Sequence, residues 1–274
     1  MPELPEAENI CRALKAALCG RKITMVEVFT PAMRTSLLPL ESAELPGRSI
    51  VDVRRRARYL VAELDDGRGI MMHFGMSGVV RVEGAEVPKR KHEHVFIHLD
   101  NGKIFRFECT RRFSILEVHE NCDNGRFPEV LSNLGVEPLS EDFTCEYLFE
   151  KLQKRSGCIK NAIMDNSIVV GIGNIYANET LFACRIDPRR KANEVTLAEC
   201  GEIVKNSVRI LKRAIECGGT TISDFLNVDG SEGKFALELA IYGKEGKECP
   251  ACGKKISSAR LGGRNSFFCE YCQK

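Results

Sequence analysis

Met1-Pro2-Glu3-Leu4-Pro5-Glu6 opens the chain and runs into a segment with helical period. Ile10, Ala13, Leu14, Ala17 and Leu18 fall on one face, so residues 5–19 are expected to form an amphipathic helix. Pro5 suits the first turn, Glu6 and Glu8 favour the positive N-terminal end, and Gly20 stops the helix. A helix buried along that face would hold the start of the chain in place. Removal of Met1 would leave Pro2 with a free secondary amine. An α-amino group titrates near pH ~8, so a useful fraction is neutral and nucleophilic at neutral pH. Such an amine attacking a sugar C1′ forms an iminium directly, and Glu3 beside it could move protons. With Met1 attached the same nitrogen is an inert amide. The plainer reading is that Pro-Glu simply begins a helix.

Beyond Gly20 the pattern becomes strand-like. Residues 23–29, 49–53, 59–63 and 69–74 are short apolar runs, and Val95, Ile97 and Leu99 alternate with polar residues. Asn101-Gly102 marks a hairpin turn into a strand at 103–108. This half reads as one helix followed by a β-sandwich. From about residue 134 the period turns helical, over 143–154 (Leu148, Phe149, Leu152) and again over 159–166. Gly171-Ile172-Gly173-Asn174-Ile175-Tyr176 then lies between two helices and not after a strand, which argues against a dinucleotide-binding fold. A third helix precedes residues 216–242, whose Gly230, Gly233 and polar content suggest a mobile loop.

The last segment holds Cys249-x2-Cys252-x16-Cys269-x2-Cys272. Two close cysteine pairs at this separation are a zinc signal, and four thiolates make a closed, structural site. The metal would build a small hairpin with no core of its own. The expected fold class is therefore multidomain α+β: an N-terminal helix plus β-sandwich domain (1–133), a helical domain (134–238) and a C-terminal four-cysteine zinc finger (239–274).

Composition narrows the partners. With 274 residues and 43% hydrophobic content, the chain can build ordinary cores in two or three domains. Net charge is only +2, yet base is clustered in Arg54-Arg55-Arg56-Ala57-Arg58, Lys89-Arg90-Lys91-His92, Arg111-Arg112, Lys154-Arg155 and Arg189-Arg190-Lys191. Each run alone is an ordinary solvated face, but together they favour a local patch for phosphate. The 13 cysteines, an odd number mostly scattered singly, argue against a disulfide framework and for a reducing cytoplasm. No stretch has the length and apolarity of a membrane helix, and the acidic start lacks the basic region of a signal peptide.

The opening Met1–Glu6, His73-Phe74-Gly75-Met76-Ser77-Gly78, Arg111-Arg112-Phe113, Gly173-Asn174-Ile175-Tyr176 and the cysteine pairs together resemble the formamidopyrimidine-DNA glycosylase family, which includes the endonuclease VIII enzymes. The resemblance runs nearly end to end. It implies that Pro2 is the nucleophile and Glu3 the proton donor, with Glu6 a second carboxylate nearby. Arg264, a few residues before Cys269, matches an arginine that grips the phosphate at the flipped nucleotide and is counted with this catalytic set. Met76, Arg111 and Phe113 would fill the vacancy left by an extruded base and kink the duplex. His92, Arg155, Lys160 and Asn174 would contact phosphate, Asn174 in the turn of a helix–two-turn–helix. The segment after residue 216 would cover the extruded base, its length favouring the purine-lesion branch.

Three departures stand out. Arg58 replaces a usual lysine, so it is expected to keep a phosphate contact and lose any proton-transfer role, since a guanidinium is a poor acid or base. Arg155 also replaces a lysine. Cys109-Thr110 replaces Asp-Pro before the arginines, so that loop should be anchored differently. The implied activity is a bifunctional DNA glycosylase/AP lyase of base excision repair. It would act on oxidised purines in damaged double-stranded DNA as a monomer, with one structural Zn2+ and no catalytic metal. Two alternatives stay open: an oxidised-pyrimidine glycosylase of the same family, and a non-catalytic zinc protein that binds damaged DNA.

Overall fold

The computed structural model describes residues 2–220 and 234–274. They form two compact units, one built from Met1–Ser132 with the described ends of Gly218–Lys234, the other from Asn133–Cys217 and Phe235–Lys274.

The first unit begins with α1 (Leu4–Leu18). Leu4, Ala7, Ile10, Cys11, Leu14 and Leu18 are buried, matching the apolar stripe in the sequence. A capping box between Glu3 and Glu6 closes the N-terminal end. Two four-stranded antiparallel sheets follow. One has the order β1 (Ile23–Val28), β6 (Glu93–Leu99), β7 (Lys103–Cys109), β5 (Gly78–Gly84). The other runs β2 (Ile50–Arg56), β3 (Tyr59–Leu64), β4 (Gly69–His73), β8 (Ile115–His119). Their inner faces share one core with α1, including Leu14, Ile23, Leu60, Met72, Ile97 and Phe107. The β6–β7 hairpin turns at Gly102 (φ +77°), as Asn101-Gly102 requires.

Three elements depart from the sequence reading: β5, β8 and the short α2 (Leu38–Ser42). In β5, Gly78, Val79 and Val80 are all buried and the remaining residues are half-buried, so no period of two appears. β8 is five residues long and carries little signal of its own.

The second unit packs α3 (Cys145–Gln153), α4 (Ile159–Ile163), α5 (Asn174–Ala183) and α6 (Leu197–Glu216) around Leu148, Ile163, Tyr176, Leu181, Ile203 and Leu211. Thr144 caps α3 by accepting the Tyr147 N–H at 3.1 Å, so that helix starts later than residue 143. Helix α4 stops well short of residue 166, because Asp165 turns the chain by accepting the Ser167 N–H at 2.9 Å. The C-terminal hairpin, β9 (Ser257–Leu261) and β10 (Arg264–Phe268), turns through Gly262-Gly263, both with positive φ. It is not without a core: Ile241, Ile256 and Phe267 are buried with Cys249 and Cys269. Gly230 and Gly233, read as part of a mobile loop, lie outside the described residues. Among the described residues no helix is long and apolar enough to cross a membrane.

Candidate functional site

In the first unit, the start of the chain is built into the fold. Pro2 is buried, and Glu3 and Glu6 are only 6% and 3% exposed. Glu6 Oε2 accepts the Glu3 N–H at 2.9 Å, and Glu6 Oε1 accepts the Thr220 N–H at 2.7 Å. Gly219 makes this approach possible: its φ is +85°, and a Cβ there would lie 3.0 Å from Glu6 Oε1. Glu6 is thus the second carboxylate beside Pro2 and Glu3 that the resemblance implies. Both of its oxygens hold backbone, which makes Glu6 a residue that positions Pro2 and Glu3.

Arg58 sits half-buried in the tight turn between β2 and β3. Beside it, Tyr59 pairs with His73 across β3 and β4, their rings 4.6 Å apart. Burial first, then the charges of Arg58 and Arg34, pushes the His73 pKa down to about 4. Its Nδ1 accepts the Gly75 N–H at 3.3 Å, so the neutral ring carries its hydrogen on Nε2. The sequence reading gave His73 no role, although it opens the His73–Gly78 motif.

Met76 and Phe113 are large apolar side chains left 55% and 49% exposed. The Arg111 guanidinium lies 5.5 Å from the Phe113 ring centroid, and Arg111 itself is exposed. Met76, 35 or more positions before Arg111 and Phe113 and in a separate loop, thus shares with them one surface chemistry, exposed apolar side chains with a cation. His92 is half-buried, in a loop tied down by Arg90, which pairs with Glu83 at 2.7 Å and Glu93 at 2.8 Å. The buried Arg106 adds bonds to Gly84 O and Val87 O.

These pairs also trim the basic runs. Arg54 pairs with Glu63 at 2.9 Å and Arg55 with Glu8 at 2.7 Å, so those guanidiniums serve the fold. In the second unit Arg190 pairs with Glu199, whose carboxyl it pulls down to about 2.

Lys160 is the largest surprise. The resemblance places it among the phosphate contacts, yet it is 0% exposed. Its ammonium donates to Asn174 Oδ1 at 2.5 Å and to Ser266 Oγ at 2.7 Å. Asn174 Nδ2 in turn donates to Asn265 O at 3.1 Å. A buried cation is tolerated only when its hydrogens are satisfied, and here they staple the start of α5 to β10. Asn178 Oδ1 accepts the Phe267 N–H, and Glu179 accepts the N–H groups of Ala240, Ile241 and Tyr242. At the hairpin tip, a Cβ on Gly262 would come within 2.7 Å of Asn161. Arg264, exposed at the first position of β10, is thus carried on a braced support. Arg155 is exposed and pairs with Asp165 at 3.0 Å, a contact a phosphate could displace at little cost.

The four sulfurs of Cys249, Cys252, Cys269 and Cys272 lie within 4.8 Å of one another. Cys249 and Cys272 are 3.9 Å apart, Cys252 and Cys269 3.5 Å. Zinc–sulfur bonds of about 2.3 Å in a tetrahedron give edges of roughly 3.8 Å, so the set fits Zn2+. All positions are taken by thiolates, and the metal is structural.

Three family models cover most of the chain: the formamidopyrimidine-DNA glycosylase N-terminal domain over residues 1–116, the formamidopyrimidine-DNA glycosylase H2TH domain over 134–226, and the zinc finger found in FPG and IleRS over 246–274. A formamidopyrimidine-DNA glycosylase of Vibrio parahaemolyticus is 44% identical over 274 residues, covering 100% of each chain. The Lactococcus lactis Fpg, solved in complex with DNA containing an abasic site, is 32% identical with a TM-score of 0.89, covering 99% of each chain. A MutM protein solved with DNA containing carbocyclic 8-oxo-G is 33% identical with a TM-score of 0.90, covering 100% of each chain.

Proposed function

This chain belongs to the formamidopyrimidine-DNA glycosylase family, and from that premise we infer that it is a DNA glycosylase/AP lyase of base excision repair, acting on oxidised purines through Pro2. The supporting observation is the start of the chain: Pro2 is buried, and the backbone of Glu3 is held by Glu6. A nucleophile so held reacts from one geometry and not from a floppy tail.

Once Met1 is removed, the Pro2 nitrogen attacks C1′ of the damaged nucleotide and the base departs with its bonding electrons and a proton. Glu3 protonates O4′ as the sugar ring opens, leaving an iminium between Pro2 and C1′. The iminium acidifies the C2′ proton, so elimination expels first the 3′ phosphate and then the 5′ phosphate, and water releases Pro2. Met76, Arg111 and Phe113 enter the duplex as the nucleotide leaves it, supporting the kinked backbone. Arg58, His92, Arg155 and Asn174 hold phosphate, and Arg264 grips the phosphate at the flipped nucleotide. Arg58 does so without moving a proton. Lys160 acts from within, by setting Asn174 against β10. The zinc supplies no chemistry to the reaction; it keeps the hairpin that carries Arg264 folded. A cytoplasmic monomer suits the free thiols and the DNA substrate.

Strand cleavage of duplex oligonucleotides tests the substrate class. Cleavage at 8-oxoguanine in preference to thymine glycol is the expected result. The reverse preference would move the protein to the oxidised-pyrimidine branch, and binding without cleavage of either would make it a non-catalytic binder.

A further inference from the structure

We propose that Cys109 is the positioning residue that locks the Met76 loop and the Arg111–Phe113 loop into a single wedge, a role that rests on the repair activity inferred above. The two loops are cross-bonded by the serines that follow each wedge residue. Ser77, next to Met76, accepts the Arg111 N–H at 3.1 Å. Ser114, next to Phe113, donates to Phe74 O at 2.8 Å. The Cys109 sulfur lies between them, 2.9 Å from Ser114 Oγ and 3.9 Å from Ser77 Oγ, with no solvent exposure. The Ser114 hydroxyl has Phe74 O and the Cys109 sulfur as its two acceptors, so the thiol fixes where that hydroxyl can point.

The backbones close the same joint. A Cβ on Gly75 would lie 2.4 Å from Phe113 O, and one on Gly78 would lie 2.3 Å from Phe74 O. Cys109 is itself immobile: it ends β7 opposite Gly78, its N–H donates to His92 O at 2.9 Å, and its carbonyl lies 3.0 Å from His94 Nε2. One buried residue thus ties together the loops bearing Met76, His92, Arg111 and Phe113. The anchor at this position is a thiol held between two hydroxyls.

Insertion matters only where a duplex must be opened. Cleavage at an abasic site in a single strand needs Pro2 but no wedge, because there is no partner base to support. The test compares single-turnover excision of 8-oxoguanine from a duplex with cleavage of a single-stranded abasic oligonucleotide. Loss of about one buried hydrogen bond predicts that Cys109→Ala slows the duplex reaction about five- to tenfold and leaves the single-strand reaction within about twofold. Cys109→Ser, which keeps a hydrogen-bonding group, restores the duplex rate. An unchanged duplex rate in Cys109→Ala would overturn the inference. So would a parallel fall of both activities, since the thiol would then serve the fold at large. Wild-type protein inert on both substrates would overturn the repair reading and this inference with it.

Discussion

Glu6 Oε1 accepts the backbone N–H of Thr220 at 2.7 Å, across 214 positions of sequence, while its Oε2 accepts the N–H of Glu3. One carboxylate thereby fixes the backbone at both Glu3 and Thr220. Glu6→Gln keeps one acceptor but presents an amide N–H where an acceptor is needed. A hydrogen bond to a buried charged group contributes about 1.5–3 kcal/mol, so single-turnover excision should slow at least about tenfold. An unchanged rate would show that the contact does not position the site.

Lys160 and Arg264 give a pair of opposite expectations. Each phosphate contact contributes roughly one to the slope of log affinity against log salt. Arg264→Ala, at an exposed cation, should reduce that slope by about 0.9. Lys160→Met, at a buried cation bonded to Asn174 and Ser266, should weaken binding and leave the slope unchanged. Binding titrations at several salt concentrations decide it, and a reduced slope for Lys160→Met would return Lys160 to the phosphate contact that the resemblance implies.

Cys269→Ser removes a fully buried zinc ligand. The variant should lose zinc, measured by metal analysis, and lose DNA binding, while the β-sandwich keeps its far-ultraviolet spectrum. The small apolar cluster around Ile256 and Phe267 is too slight to keep the hairpin folded alone. Wild-type DNA affinity without zinc would contradict the assigned role.

How much of this was legible in the sequence follows from separation along the chain. The α1 stripe, the Asn101-Gly102 hairpin and the cysteine pairs are local patterns, and each appears where it was read. Strand β5 was hidden because its burial lacks alternation. Charge runs misled in part: Arg54, Arg55 and Arg90 look like phosphate ligands, but their carboxylate partners are set by strand pairing that no local pattern reveals. The buried setting of Lys160 was illegible for the same reason, since Ser266 lies 106 positions away. Cys109 was visible only as a departure from a familiar motif; its role needed the two serines brought to it by folding.

His73 gives the pH dependence. Its pKa falls from 6.5 in the unfolded chain to about 4 in the fold. The unfolded chain therefore takes up the proton first, and stability is complete above about pH 6.5 and drains away as pH falls towards 4. The loss attributable to this residue is about 2–3 kcal/mol. Denaturant melts of His73→Gln between these limits should show a flatter decline than the wild type. An identical decline would mean that other groups control acid stability.

The central claim, that Pro2 is the nucleophile, is tested most directly by borohydride trapping. Mature protein, with removal of Met1 verified by mass, is mixed with duplex DNA containing 8-oxoguanine and reduced, alongside a Pro2→Gly variant. A covalent protein–DNA band in the wild type, mapped to Pro2 by peptide mass and lost or greatly weakened in the variant, is the predicted result. No band with wild-type protein, or one of equal strength in the variant, would contradict the account.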